Sequence, residues 1–315
     1  MKKYIVKRII SLIPVLFIVS VVIFMLIHLT PGDPARTMLG DDASEADVMQ
    51  LREQMGLNDS IIVQYGNWIG GIFHGDLGTS IFIDEPMSKI IGDHMGATIS
   101  VTVFALIIAL VIAIPLGMLA AKHRGRAADQ VITGFTMMGI SIPSFLMGLF
   151  LILIFSVGLK WLPVAGYKSI KDVGILEHFK YLLMPCISLG LMQAALITRM
   201  TRSSVLDVLY MDYIKMARAK GVKEKAILLK HAFRNALLPI ITVVGQSFIA
   251  LLSGAVVVES VFNIPGIGQL IVNSVLRRDY EVIQAIVLVI ALINVIITLL
   301  MDLLYAVADP RVKME

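Results

Sequence analysis

Six stretches of this chain contain no Asp, Glu, Lys or Arg: residues 9–32, 94–121, 130–159, 181–198, 235–258 and 282–301. Each is near or above the roughly 18–20 residues that carry an α-helix across the hydrocarbon core of a bilayer. With 57% hydrophobic residues and a mean hydropathy of +0.86, no ordinary soluble surface can be built. The expected fold is therefore an all-α polytopic membrane protein with six transmembrane helices. Membrane lipid is its first partner. The net charge of +4 gives no reason to expect nucleic acid, because the basic residues stand at the borders of the apolar runs.

Those borders orient the chain. With the N-terminus inside, about two-thirds of the 27 Lys and Arg fall on the cytoplasmic side, which fits an N-in, C-in topology with an even number of crossings. The first run is too long for a signal-peptide core of roughly 7–15 residues, and no small-residue cleavage site follows it. It reads as a retained helix starting near Ser11, with Pro14 in its first turns. The T-P-G-D-P string at 30–34 ends it. Residues 1–30 thus form the first span, 31–93 an outer helical subdomain, 94–306 a five-helix core, and 307–315 a cytoplasmic tail.

The outer segment holds eleven acids and three bases between residues 33 and 93. Helical spacing predicts helices over Asp47–Leu57 and Ile61–Phe73, with Ile61, Tyr65, Trp68, Ile69 and Ile72 on one face and a break at Gly56. The acidic balance either steers a partner or is a solvated face. His74, Asp76, Asp84, Asp93 and His94 have no fixed ligand spacing, so no metal site is expected. Cys186, the single cysteine, allows neither an internal disulfide nor a cysteine metal cluster.

The long charged insert 199–239 carries nine bases and three acids, a cytoplasmic balance. Val205, Leu206, Leu209, Tyr213, Met216 and Ala217 recur at three- and four-residue spacing, one apolar stripe of a helix. Gly221 can take the left-handed conformation that closes such a helix, and Lys220 suits its negative C-terminal end. Ala226, Leu229, Ala232 and Phe233 form a second stripe, and Pro239 opens the next membrane run. Two amphipathic helices broken at a glycine make a knob for another protein to grip.

Within the spans, Pro115 and Gly117 should kink the second. G-I-S-I-P-S-F at 139–145 fits either one tilted helix or a broken one. Irregular backbone at that depth is buried or lines a watery path, which makes Ser141, Pro143 and Ser144 pathway candidates beside close helix packing. Gln193 needs a hydrogen-bond partner in another helix or a wet cavity. Gln246 and Ser247 suit a permeation wall. Glu259, near the outer end of the fifth run, either meets a substrate amino group or pairs with Arg277 or Arg278.

Several ordered strings carry a family resemblance: R-I-I-S-L-I-P (8–14), P-G-D-P (31–34), H-G-D-L-G-T-S (74–80) and L-P-V-A-G-Y (162–167). Further on come D-Y-I-K-M-A-R-A-K-G-V (212–222), H-A-F-R-N-A-L-L-P (231–239), V-E-S-V-F-N-I-P-G-I-G (258–268) and L-Y-A-V-A-D-P-R (304–311). Together they resemble the dipeptide/oligopeptide branch of binding-protein-dependent ABC importer permeases, whose members also carry glutathione or nickel complexes. The resemblance implies a type I importer permease fold. It also implies a second, similar permease subunit, two ABC ATPase subunits on the cytoplasmic face, an extracytoplasmic substrate-binding protein, and a bacterial cytoplasmic membrane. It makes Tyr213, Met216, Ala217, Arg218, Ala219, Lys220, Gly221 and Val222 the ATPase-coupling residues. The wider family places a Glu six residues before the glycine, where this chain has Lys215. No P-loop, G-x-S-x-G or H-E-x-x-H string is present. The chain is thus expected to be no enzyme and to bind no cofactor, with ATP and Mg held by the partner ATPases.

Overall fold

A computed structural model describes the backbone of residues 2–29, 33–40, 42–80 and 82–308. Thr30–Gly32 and the tail beyond Ala308 lie outside the described residues. The chain packs as two compact units. One comprises the residues up to Met95 with Leu270–Leu299; the other comprises Gly96–Gln269 with the chain from Leu300.

In the first unit, α1 (Lys2–Leu29) begins well before Ser11, so Pro14 lies inside the helix rather than in its first turn. Asp33 caps α2 (Pro34–Leu39) by accepting a bond from the Ala35 N–H at 3.1 Å, and Pro34 occupies the first helical position, where no N–H is needed. Ser44 caps α3 (Glu45–Gln54). That helix closes as expected at Gly56, whose φ is +68°. There the Gly56 and Leu57 N–H groups return to the carbonyls of Glu53 and Arg52 at 3.1 and 2.9 Å. α4 (Ile61–Phe73) matches its expected bounds and lies on α1 through Tyr65 and Trp68. The Tyr65 hydroxyl meets Ser20 Oγ at 2.7 Å, and both rings pack on Phe24. Ile61, at the start of the expected face, is exposed instead.

A loop over 74–86 joins this layer to the last long helix, α13 (Tyr280–Ala308). Buried Asp279 accepts from Ser80 Oγ at 2.7 Å, while Gln284 donates to the Ile23 carbonyl at 3.2 Å. Asp279 thereby occupies the N-terminal cap of α13, where a negative charge faces the positive end of the helix.

In the second unit, α5 (Met87–Lys122), α8 (Ile170–Leu209) and α11 (Arg234–Val261) form the core around Val101, Ala105, Leu182, Leu189, Leu251 and Val258. Helices in lipid gain little from burying apolar surface, so close approach by small residues decides their packing. Gly190 lies against Ala105, where an added Cβ would stand 2.7 Å from the carbonyl oxygen. Gly117 does the same against Thr198 and Thr201. α5 is helical on both sides of Pro115, and Gly117 serves close packing against α8.

The third apolar run is broken. α6 (Ala127–Ser141) and α7 (Ser144–Leu151) meet at 100° across Ile142–Pro143, and α7 continues as a wider-wound turn over Ile152–Gly158. Ile142 is extended (φ −95°, ψ 119°) because the following proline ring disfavours helical backbone there.

Four helices, Met87–Lys122, Ile170–Leu209 (kinked at Gly174, φ +77°), Glu224–Val261 and Tyr280–Leu304, are long and apolar enough to cross a membrane, and the α6–α7 pair makes a fifth if it is one span. The apolar part described in α1, Ile10–Met25, is shorter. The result is a multi-pass helical membrane protein.

Candidate functional site

The charged insert leaves α8 where that helix stops at Leu209. A two-residue turn, Tyr210–Met211, leads into α9 (Asp212–Ala219). Gly221 then ends α9 at φ +77°. Its N–H bonds the Arg218 carbonyl at 2.9 Å, and the Val222 N–H bonds that of Ala217 at 3.2 Å. This pair of bonds is the Schellman closure expected for a left-handed glycine. α10 (Glu224–Ala226) follows and runs through a wider-wound stretch, Ile227–Phe233, straight into α11. Pro239 therefore lies inside a continuous helix and does not open the membrane run.

A small core anchors this knob. Ile214 and Ile227 are fully buried with Val205, Val208, Ala232, Ala236 and Ile240, and Val222 packs at their edge. The buried stripe differs from the expected one. Tyr213 and Met216 point outward, Met216 at 60% exposure, beside Tyr210 and Met211. Arg218, Ala219, Lys220 and Gly221 are exposed, and Ala217 is half-buried. Lys215, at the position of the wider family's glutamate, pairs with Asp212 at 2.8 Å. Its ammonium holds the exposed Asp212 carboxyl below the usual carboxylate range. Arg218 reaches across the glycine turn to Glu224 at 2.8 Å.

One feature of this region escaped sequence reasoning. Arg202, on α8, donates Nε and Nη2 to Asp129 on α6 at 2.6 and 2.7 Å, and the Asp129 side chain is only 6% exposed. Asp129 also accepts the Gly125 N–H at 2.9 Å. Arg124 adds a bond to the Tyr210 hydroxyl and lies over its ring. The short turn 123–126 is thereby tied to the end of α8 immediately before α9. The only sequence signal was a charge at the border of each apolar run.

The pathway candidates lie in different surroundings. Ser141 and Pro143 are exposed at the break, with Ser141 Oγ bonding the Met137 carbonyl at 2.9 Å, and Ser144 is half-buried. Gln193 and Ser247 are buried, whereas Gln246 is exposed on the other side of α11. The space beside Gly139, between α6 and α8, is about 10 Å³, room for a single water.

Glu259 does not stand at an open mouth. It is fully buried. Its carboxylate accepts Thr98 Oγ1 at 2.6 Å and the N–H groups of Gly268 and Gln269 at 2.7 and 3.2 Å. Those amides begin α12 (Ile267–Arg277), so the charge meets the positive end of a helix. Thr98 Oγ1 accepts the Ile267 N–H at 2.8 Å. Gly268 is a glycine because a side chain there would collide with the backbone of Val256 and with Glu259.

Comparison with known proteins agrees with this architecture. The family described as binding-protein-dependent transport system inner membrane component matches residues 113–314, and its N-terminal companion matches residues 1–102. A relative from Sinorhizobium fredii, named "Probable peptide ABC transporter permease protein", is 39% identical over 98% of this chain and 99% of its own. A glutathione transport system permease protein of Salmonella choleraesuis is 41% identical over 99% of both chains. A chain of the MetNI methionine ABC transporter, solved in inward-facing conformations, shares the fold with a TM-score of 0.60 at 18% identity. The match covers 71% of this chain and 99% of that one. The chain belongs to the family of binding-protein-dependent transport system inner membrane components and is a permease subunit of an ABC importer.

Proposed function

We propose that this permease carries short peptides across a bacterial cytoplasmic membrane. In this reading six helices cross with both termini inside, α1 and the bent α6–α7 pair each counting as one span. The chain works with a second permease subunit, two ATPases that hold ATP and Mg, and an external binding protein that delivers the peptide. It performs no catalysis itself. The names of its peptide and glutathione relatives support a peptide-like substrate, and glutathione is the second candidate within that class.

The observation that carries the reading is the two-faced α9. Ile214 buries one side in a core shared with α8 and α11, and Tyr213 and Met216 leave the other side apolar and exposed. Exposed apolar groups on a rigid short helix suit a partner's groove. Because α9 is joined to α8 by two residues, and to the continuous helix 224–261 by four, a push on it reaches both core helices. ATP binding closes the ATPases, α9 moves with them, and the pathway opens outward to receive the peptide; hydrolysis resets it.

The test is cysteine cross-linking in the assembled complex. Met216→Cys should couple to a cysteine in the ATPase groove in an ATP-dependent manner, and Ile214→Cys should not. Absence of any cross-link from Met216, in a complex that imports dipeptide, would overturn the coupling assignment. Competition of labelled dipeptide uptake by unlabelled glutathione then ranks the two substrates.

A further inference from the structure

The first unit contains a cavity of about 310 Å³, at the small end of the range for ligand sites. It lies between α1, α4, the 76–78 turn and the start of α13. Phe24, Trp68 and Tyr280 supply aromatic surface, and Asp76 and Glu281 supply carboxylates. Among the described residues that line it the one basic side chain is His28, whose ring nitrogens meet the Phe24 carbonyl and Gln64 Oε1.

Asp76 Oδ1 accepts the Gly78 N–H at 2.9 Å, and Glu281 lies beside the same glycine. Among the described residues neither has an ion-pair partner. Gly78 leaves room for the Glu281 carboxylate, since a Cβ there would approach Oε2 to 3.2 Å.

The chemistry of the wall selects the ligand. An anion would be repelled, and a neutral apolar ligand would strip water from two carboxylates without compensation. An organic cation satisfies both surfaces, its charge set against the carboxylates and its apolar part against the rings. We infer that this cavity is a binding site for the ammonium group of a small organic cation. The inference concerns the first unit alone and does not rest on the importer reading. An ammonium can come from a soluble amine or from the headgroup of phosphatidylethanolamine.

Trp68 gives a direct readout, because Trp161 is the chain's only other tryptophan. The full chain with Trp161→Phe and 5-fluorotryptophan, assembled with unlabelled partners in phosphatidylglycerol nanodiscs, has one fluorine resonance. Cadaverine should shift it saturably and 1,5-pentanediol should not. Glu281→Gln or Asp76→Asn should weaken the apparent Kd at least tenfold; Asp76→Asn, on an exposed turn, serves if Glu281→Gln fails to assemble. In nanodiscs containing phosphatidylethanolamine, a resonance already shifted and insensitive to cadaverine would assign the ammonium to the lipid. An unshifted resonance, an equal response to the diol, or unchanged Kd in the carboxylate variants would each overturn the inference. None of these outcomes depends on whether the complex imports peptide.

Discussion

Replacing Gly221 isolates the backbone geometry of α9, the proposed coupling helix, from its contacts. At φ +77° the residue sits in the left-handed region, where an L side chain costs about 1–2 kcal/mol, more if it is β-branched. A Cβ added at 221 meets no atom within 4 Å. Steric collision therefore contributes nothing, and no new packing offsets the strain. The variant chain has two choices. It keeps the turn and carries the strain, or it releases φ and loses the two closing bonds from Gly221 and Val222, each worth about 0.5–1.5 kcal/mol net. Either way about 1–3 kcal/mol separates it from the parent geometry. A loss of 1–2 kcal/mol alone lowers the population of the coupled arrangement about 5- to 30-fold. Ile214, Ile227 and Val222 still hold the knob together, so the chain should insert and assemble. The assay is paired measurement of ATP hydrolysis and dipeptide uptake in proteoliposomes. Gly221→Val should retain hydrolysis and lose most uptake. Gly221→Ala should lose less, and Gly221→Asn least, because asparagine tolerates the left-handed region. Normal uptake by Gly221→Val, or losses that ignore this order, would refute the reasoning.

Arg202→Met strands the nearly buried Asp129 carboxylate and should lower thermal stability in detergent by an amount equivalent to about 1–3 kcal/mol. The swap Asp129→Arg with Arg202→Asp should recover only part of it, because the first turn of α6 favours a negative charge; parent-like stability of Arg202→Met would count against the pair. Glu259→Gln exchanges a carboxylate acceptor for an amide, so hydrogen exchange at residues 267–269 should quicken by the equivalent of about 1–3 kcal/mol, and unchanged protection would show the carboxylate to be dispensable. Gly190→Val should prevent accumulation of folded chain, since its side chain meets the Ala105 backbone. Gly134→Ala, with nothing within 4 Å, should be neutral or stabilising by up to about 1 kcal/mol, and equal expression of the two variants would remove the close-packing explanation.

Much of this was legible along the chain because it is local. The bounds of α4 and the glycine closures at 56 and 221 depend on residues within one turn of each other, and the break at Pro143 was one of the two readings its neighbours left open. What went unread depends on rotation or on distance. The stripe Val205–Ala217 assumes one uninterrupted helix. The turn at Tyr210–Met211 resets the rotation of α9, so Ile214 goes inward while Tyr213 and Met216 go outward. Asp129 and Arg202 are 73 residues apart in sequence, and each alone is just a charge at a membrane border. Glu259 could be read as a mouth residue because nothing local reveals that Thr98 and the start of α12 fold over it.

The break between α6 and α7 sets a physical requirement that the isolated chain does not meet. Proline at 143 removes an N–H, and the 100° bend takes Ile142 out of helical geometry, so carbonyls near Ser141 lose their partners one turn on. In hydrocarbon each unsatisfied group costs several kcal/mol. Ser141 and Pro143 are nevertheless exposed in the single chain. Lipid cannot cover that backbone; protein or water must. α8 is pressed close to α5 at Gly190 and Gly117, whereas the two-residue break is a place where φ and ψ can absorb a change of angle. A segment that must face a second subunit or a wet path, and that can also bend, is better suited to a gate than to packing. This supports Ser141, Pro143 and Ser144 as pathway residues over Glu259, whose carboxylate is already committed to holding α12.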